Sequence, residues 1–519
     1  MAVPSYTEDL TDIELAVTAW PELTGATAGL ASAFETDWFL EGTTCVSKPF
    51  ATAGLGSMAY VNASPISIPS GSATFHWVFF GGPNAIATLA SGGYRISIGN
   101  TIANYKMWYV LGSDTYAYGG WVNVAIDPTV TADASYGAPS GETTVFGSVV
   151  NLLNPIAKGN PYCNDAIRYG REMIVTAGEA ANYATFVGAA AANDAVAARW
   201  GLFQAISGGY LQKGRFRMGD AATAVDFRDS NRNIFVQDTT KVTANFNEYE
   251  VRNALSRVDW TGINITALGT TSKGRLVITD NADINFDTCT FTDMNTFGFL
   301  ANSTILATTF RRCGIVTQGG AVFTNCKFDN ATGTRALVVS AVANVTNTEF
   351  VSDGTGYALE GFSTAGDYSL TNLTFTGYAA SNGSTGNEAI HVLATTGIVN
   401  LNRSGGGGIA SVHTEGATVN VIASVWLRVY VKDEANANVS GASVAIYKSS
   451  DMTELMNELS DVNGLAEQTF NYPGSDVGII ARVRKSSTGT RYFPLSTTGT
   501  ILSGGYTLTA VMIADGIVA

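Results

Sequence analysis

The sequence predicts an all-β chain, and three observations carry that prediction. Glycine is abundant (56 of 519 residues) and charge is sparse (14% Asp, Glu, Lys and Arg). With plentiful Thr, Ser, Asn and Val, this mixture favours short strands and tight turns over helices. Apolar residues alternate at period two in many short runs bounded by Gly, Asn or Asp. A short signature ending in Phe recurs in the second half of the chain. A chain of this length exceeds one ordinary core, so several domains are expected. The boundaries fall at 1–127, 128–258, 259–423 and 424–519.

In the first segment, Phe75-His76-Trp77-Val78-Phe79-Phe80 lies between Ser70-Gly71 and Gly81-Gly82-Pro83. Tyr94–Ile98 and Met107–Val110 alternate, and Trp121–Ile126 follows Gly119-Gly120. Strands at this spacing with Gly-rich turns predict a sandwich. The second segment reads as a joining module with one helix, the Ala-rich stretch Ala177–Gly201, which Gly188 weakens. Strands return over Gly208–Phe246, turning at Asp229-Ser230-Asn231.

The third segment repeats. Cys289-Thr290-Phe291, Thr308-Thr309-Phe310, Cys326-Lys327-Phe328, Thr348-Glu349-Phe350 and Leu373-Thr374-Phe375 share one pattern, and their Phe positions differ by 19, 18, 22 and 25 (310−291, 328−310, 350−328, 375−350). On a strand, the outer two residues of each tripeptide point one way and the middle one the other. One such strand per period, with polar turns between, describes the coils of a parallel β-helix. Phe291, Phe310, Phe328, Phe350 and Phe375 then form an interior ladder, with Asn in left-handed turns. The last segment alternates over Val425–Val431 and turns at Asp433–Asn436. Ser440–Tyr447 is expected to pair back, and Asp461–Leu465 makes a tight turn towards Gln468-Thr469-Phe470.

These motifs carry resemblances. The aromatic run with Gly119-Gly120-Trp121-Val122-Asn123-Val124-Ala125-Ile126-Asp127 resembles concanavalin-like or laminin-G-like jelly rolls. The Phe repeat resembles the right-handed pectate-lyase-like β-helix of polysaccharide lyases, phage tailspikes and other virion proteins. The closing pattern resembles carboxypeptidase-regulatory-like or bacterial Ig-like domains, with Asn436 where those often have Gly. The resemblances therefore imply an all-β chain of N-terminal jelly-roll sandwich, right-handed parallel β-helix and C-terminal Ig-like sandwich.

Charge and motif content narrow the function. The net charge of −14 disfavours nucleic acid, which requires clustered Lys and Arg. The five cysteines (Cys45, Cys163, Cys289, Cys313, Cys326) show no CxxC or zinc spacing, so they are read as reduced, buried small side chains. Met1–Leu10 has neither a basic nor an apolar signal region, and apolar stretches are broken by Gly and Ser; no signal peptide and no membrane span are expected. His76, His391 and His413 are scattered, no GxSxG occurs, and Gly405–Gly408 lacks the Lys of a phosphate loop. No catalytic residue, cofactor or metal site is therefore expected.

The acids of the repeat region are Asp280, Asp283, Asp287, Asp293, Asp329, Glu349, Asp353, Glu360, Asp367, Glu388 and Glu415. They are read as turn and surface residues, as is Arg311-Arg312 at a strand end. Trp108 and Trp121, beside Tyr105, Tyr116 and Tyr118, are candidate sugar-stacking residues, against a core role as the default. Calcium at Asp114 or Asp127 has no supporting pattern. The modular combination resembles tailed-phage virion proteins. It implies a non-enzymatic structural protein made in the host cytoplasm and displayed on the virion surface, as head decoration or fibre. A homotrimer contacting other virion proteins, with cell-surface glycan as a further partner, is the implied assembly. The rival expectation is a tailspike-like depolymerase acting through the repeat-region acids. A cellular adhesin is a third, disfavoured by the missing signal sequence.

Overall fold

The computed structural model describes the chain except residues 1–2, 14–19, 27–32, 36–38, 50–51, 81–88, 111–114, 119, 142, 154–161, 179–181, 195–200, 238, 270–272, 405–409, 473–475, 487–488, 503 and 517–519. It is nearly all β, with 55% in strands, as the sequence predicts. Two compact units divide at Thr317 and Gln318. No helix among the described residues is long and apolar enough to cross a membrane.

The first unit opens with two antiparallel sheets. One contains Cys45–Lys48, Ala73–Phe80, Thr115–Tyr118, Trp121–Ile126 and Tyr162–Gly170; the other contains Gly54–Val61, Leu89–Thr101, Asn104–Tyr109, Ala134–Tyr136 and Val145–Leu152. Alternate residues from both fill one core, including Val78, Ile96, Ile98, Trp108, Val124, Phe146 and Ile167. These sheets use strands as late as Gly170, beyond the expected boundary at 127.

Parallel pairing begins at Glu172, well upstream of 259. Glu172–Thr176, Arg215–Met218, Glu248–Val251 and Arg275–Ile278 stack in register, so Glu172, Arg215, Glu248 and Arg275 lie one above the next. Their neighbours Met173, Phe216, Tyr249 and Leu276 point inward and are buried. Two further parallel ladders run through Asp226–Ser230, Arg257–Thr261, Asp283–Asp287 and Ser303–Leu306, and through Gly209–Gln212, Asn233–Gln237, Asn264–Leu268, Thr290–Thr292 and Thr309–Arg311. Outside the first ladder, Arg215 Nη1 reaches Glu172 at 3.0 Å and Nε reaches Glu248 at 2.8 Å, while Arg217 Nε reaches Glu250 at 2.9 Å. Burial raises the Glu172 carboxyl above its usual range, against the pull of Arg217 and Arg215. The acids of these coils thus sit in a ladder of alternating charge.

Helix α1 spans Phe186–Asn193, shorter than expected, with Thr185 Oγ1 accepting from the Gly188 amide at 3.0 Å. Gly188 is there for space: a Cβ would collide with the Tyr6 hydroxyl. The helix caps the coil interior, where Phe186 meets Phe203, Phe216, Phe227 and Trp260.

The second unit repeats the three-ladder arrangement. Arg335–Val338, Tyr357–Gly361, Ile390–Val392 and Val412–Thr414 form one ladder, and Lys327–Asp329, Glu349–Val351 and Thr374–Thr376 another. The third ends in the long strand Thr418–Asp433. Its first half pairs in parallel with Ile398–Ser404, and its second half pairs with Leu465–Tyr472 and Tyr506–Met512. The expected boundary at 423/424 therefore falls inside a continuous strand. Ser443–Lys448 pairs with Glu454–Leu459 and Val477–Lys485 in a separate four-stranded sheet, not back onto Val425–Val431. The two sheets enclose Leu427, Val429, Val444, Ile446, Ile479 and Ala481.

The coil corners explain the repeat. Thr288, Ala307, Asn325, Asn347 and Asn372 all have φ between 46° and 57°, a left-handed conformation that Asn tolerates best. Each precedes the small or apolar residue that opens a tripeptide. Asn372 Nδ2 donates to Asn347 Oδ1 at 2.8 Å, one coil to the next.

Candidate functional site

Phe291 and Phe310 stack at 5.4 Å in the first unit; Phe328, Phe350 and Phe375 stack at 4.9 and 5.5 Å in the second. Cys289, Thr308, Cys326, Thr348 and Leu373 are buried beside them. All five cysteines are buried and form no disulfide, and burial pushes Cys289 and Cys313 up to about 12. The Cys289 and Cys313 thiols are therefore chemically quiet.

The two candidate sugar-stacking tryptophans are both interior. Trp108 is fully enclosed, its Nε1 donating to the Val130 carbonyl at 3.2 Å. Trp121 packs on Phe79 and, with Trp77, against Leu211, Ile206 and Phe235 of the coils. Neither indole presents a face to solvent. Tyr105 stacks on Tyr136 at 5.4 Å. Asp114 and the side chains of Tyr116 and Tyr118 lie outside the described residues, as does the Gly405–Gly408 run. Asp127 Oδ1 accepts from the amide and hydroxyl of Thr129 at 2.8 and 2.6 Å, an ordinary turn.

Most repeat-region acids have local partners. Asp293 holds Arg312 through two contacts of 2.9 and 2.7 Å, and Glu349 meets Lys327 at 3.0 Å. Asp367 accepts from Asn400 at 2.7 Å. A cleft beside Asp226, Arg228, Leu255 and Arg257 has its charges paired locally, Arg228 with Asp226 and Arg257 with Asp259.

One cluster stands apart. Strand pairing places Glu360, His391 and His413 at one register on three successive coils. Arg335 holds Glu360, with Nε and Nη1 at 2.9 and 3.1 Å from its two oxygens. His391 Nδ1 lies 3.0 Å from Glu360, and its Nε2 lies 2.9 Å from Glu415 Oε1. His413 Nε2 is 3.6 Å from the same Glu415 oxygen, while its Nδ1 is buried with no hydrogen-bond partner. Tyr357 stacks on His391 at 4.4 Å, and the two imidazoles meet edge to face at 4.8 Å.

Carboxylates dominate the electrostatics here. Burial opposes the charge of Glu388, but the Thr385 amide and hydroxyl and the Gly386 amide outweigh it and hold the carboxyl below its usual range. The His391 hydrogen bond does the same for Glu415. Burial first, then Glu388, Glu415 and Glu360, push the Tyr357 hydroxyl up. Glu360 and Glu415 thus flank the His391 imidazole from its two nitrogens, and Arg335 holds Glu360 from the other side. Two neutral imidazoles and a carboxylate form a donor set suited to a divalent transition metal.

The reading of the histidines as scattered fails at this point, because coil stacking brings two of the three together. The signal was present in the spacing: 413−391 is 22, within the range of the Phe repeat. Side chains one coil apart share a register, so chemistry-bearing residues separated by the repeat length are neighbours. Comparison with family models, with curated proteins and with solved structures finds no match for the chain.

Proposed function

We propose that the chain is a non-enzymatic structural protein of a tailed-phage virion, displayed on the particle surface as head decoration or fibre. In this reading the N-terminal sheets are a jelly-roll sandwich, the parallel ladders a right-handed β-helix and the C-terminal sheets an Ig-like sandwich. The protein associates as a homotrimer and contacts other virion proteins and cell-surface glycan.

The observation that carries the reading is the coil stack itself. Within each unit, in-register parallel strands surround a closed apolar interior, and in the first unit Glu172, Glu248 and Glu250 are matched to Arg215 and Arg217 along the stack. Such a stack serves as a scaffold. In the first unit the sandwich is also fixed to the coils, because the buried Lys213 Nζ donates to Asn123 O at 3.0 Å and Oδ1 at 2.9 Å. A tethered, freely swinging domain has no need of that junction. Immunogold labelling of intact particles tests the proposal. Label on intact virions is expected, and label confined to disrupted particles or absent altogether overturns it.

A second reading, cleavage of surface polysaccharide, is favoured by Glu360, Glu388 and Glu415, whose charges all act on the Tyr357 hydroxyl. Its test is reducing-end release, or the absorbance of an unsaturated product, on host capsule. Activity abolished by Glu415→Gln would replace the structural reading.

A further inference from the structure

We infer that His391, His413 and Glu415 bind one divalent transition metal, of the zinc class, at the surface of the second unit. Among the described residues this is the one place where three metal-ligating side chains converge, their donor atoms lying within 4.8 Å of one another. The inference is independent of the virion reading.

The geometry is close to what a metal requires. Tetrahedral zinc with bonds of about 2.0–2.2 Å separates its ligand atoms by roughly 3.3 Å. His391 Nε2 and His413 Nε2 lie 2.9 and 3.6 Å from Glu415 Oε1. Both Glu415 pairs are thus within a few tenths of an ångström of that separation, and side-chain rotation within the 4.8 Å span brings the two imidazoles to it. Both ligand histidines sit on adjacent rungs of one parallel ladder, so their backbones are held by sheet hydrogen bonds before any ion arrives.

The outer shell is also in place. Ligand histidines commonly donate their second ring N–H to a carboxylate, which fixes the tautomer and aims the free nitrogen at the metal. Here Glu360 accepts from His391 Nδ1 at 3.0 Å and is itself anchored by Arg335. That relay leaves His391 Nε2 as the metal-facing nitrogen. The charge balance points the same way. Glu360 and Glu415 give −2 and Arg335 gives +1, so the charged groups in contact with the histidines leave a net negative charge that favours a cation. Glu415 is 48% exposed at its side chain, so an ion has a path of entry and an open coordination position towards solvent. The ion would join the His391 coil to the His413 coil and so act as a clamp across the stack.

The test is zinc titration of the metal-stripped full-length chain by calorimetry, with cobalt as a visible-absorption probe of coordination. One ion per chain is expected, together with a rise in the melting temperature. Binding should be lost in His391→Gln and His413→Gln. Glu360→Gln, which touches no metal, should weaken it by about 10–100-fold. Glu415→Gln, at an exposed position, provides a variant whose folding is not in question and should also lose binding. No saturable uptake of either metal by the wild-type chain overturns the inference. So does uptake that changes less than about tenfold in all four variants.

Discussion

Replacing Phe350 with alanine tests the coil stack where it is densest. Phe350 is fully buried between Phe328, 4.9 Å away and nearly parallel at 6°, and Phe375 at 5.5 Å and 17°. Truncating a buried Phe costs about 3–5 kcal/mol, and each lost aromatic pair adds about 0.5–1.5 kcal/mol beyond its area. With two pairs lost the sum runs from about 4 to about 8 kcal/mol, and the expected loss is ~5 kcal/mol, in its lower part because neighbouring rings relax into the space. Phe375 has one phenylalanine neighbour and is only half-buried, so Phe375→Ala should cost ~2 kcal/mol. Phe350→Leu keeps most of the volume and should cost ~1.5 kcal/mol. Two amides report locally: Glu349 N–H donates to Cys326 O at 2.9 Å, and Thr374 N–H to Thr348 O at 3.1 Å. Native-state hydrogen exchange at these amides measures the free energy of opening the coils, without assuming that the whole chain unfolds in one step. Equal costs at the two positions would refute an interior ladder, as would a Phe350→Ala loss below ~2 kcal/mol.

Three further expectations follow from particular residues. His76 is fully buried, and burial holds its imidazole down to about 3 from 6.5. Because the folded value is the lower one, this stability is complete above 6.5 and is lost as the pH falls towards 3. The loss at pH 5 is ~2 kcal/mol. Urea unfolding followed by tryptophan fluorescence should show this pH slope in the wild-type chain and a reduced one in His76→Leu; identical slopes would contradict it. Gln318 makes four hydrogen bonds across a corner, with Nε2 donating to Ala321 O and Ala341 O and Oε1 accepting from the Ser340 and Ala341 amides, at 2.8–2.9 Å. Gln318→Ala should cost ~3 kcal/mol and speed limited proteolysis near Ser340, whereas unchanged cleavage would show that the clamp is dispensable. Ala307 is exposed with φ of 46°, where alanine is strained, so Ala307→Gly should stabilise by ~0.5–1 kcal/mol in thermal melts. A destabilised variant would contradict the corner assignment.

Which parts of this fold the sequence discloses follows from what each coil puts inside. Where every coil repeats Phe at one position, the stack is legible, down to the buried Cys289, Thr308 and Leu373 beside it. The upstream coils follow the same geometry, but at the register of Phe291 they carry Ile265, Ile234 and Tyr210. Their starts at Glu172, Arg215, Glu248 and Arg275 differ by 43, 33 and 27 (215−172, 248−215, 275−248). Helix α1 and the hairpin Phe203–Gln212 occupy the longest interval, and a drifting period with changing residue type leaves no visible repeat. Trp121 illustrates a second limit. Its strand pattern is that of a sandwich face, and only the coils packed over that face decide that the indole is buried. The His391–His413–Glu415 cluster was legible in principle, because 22 residues is one coil. It stayed hidden because the Phe repeat marks a different ladder from the one that carries the histidines.

The proposed virion role is tested most directly by quantitative mass spectrometry of purified particles from the source of the chain. The account predicts recovery of the protein with intact particles, at a fixed copy number divisible by three. Absence from the particle, or a copy number that varies between preparations, would contradict it.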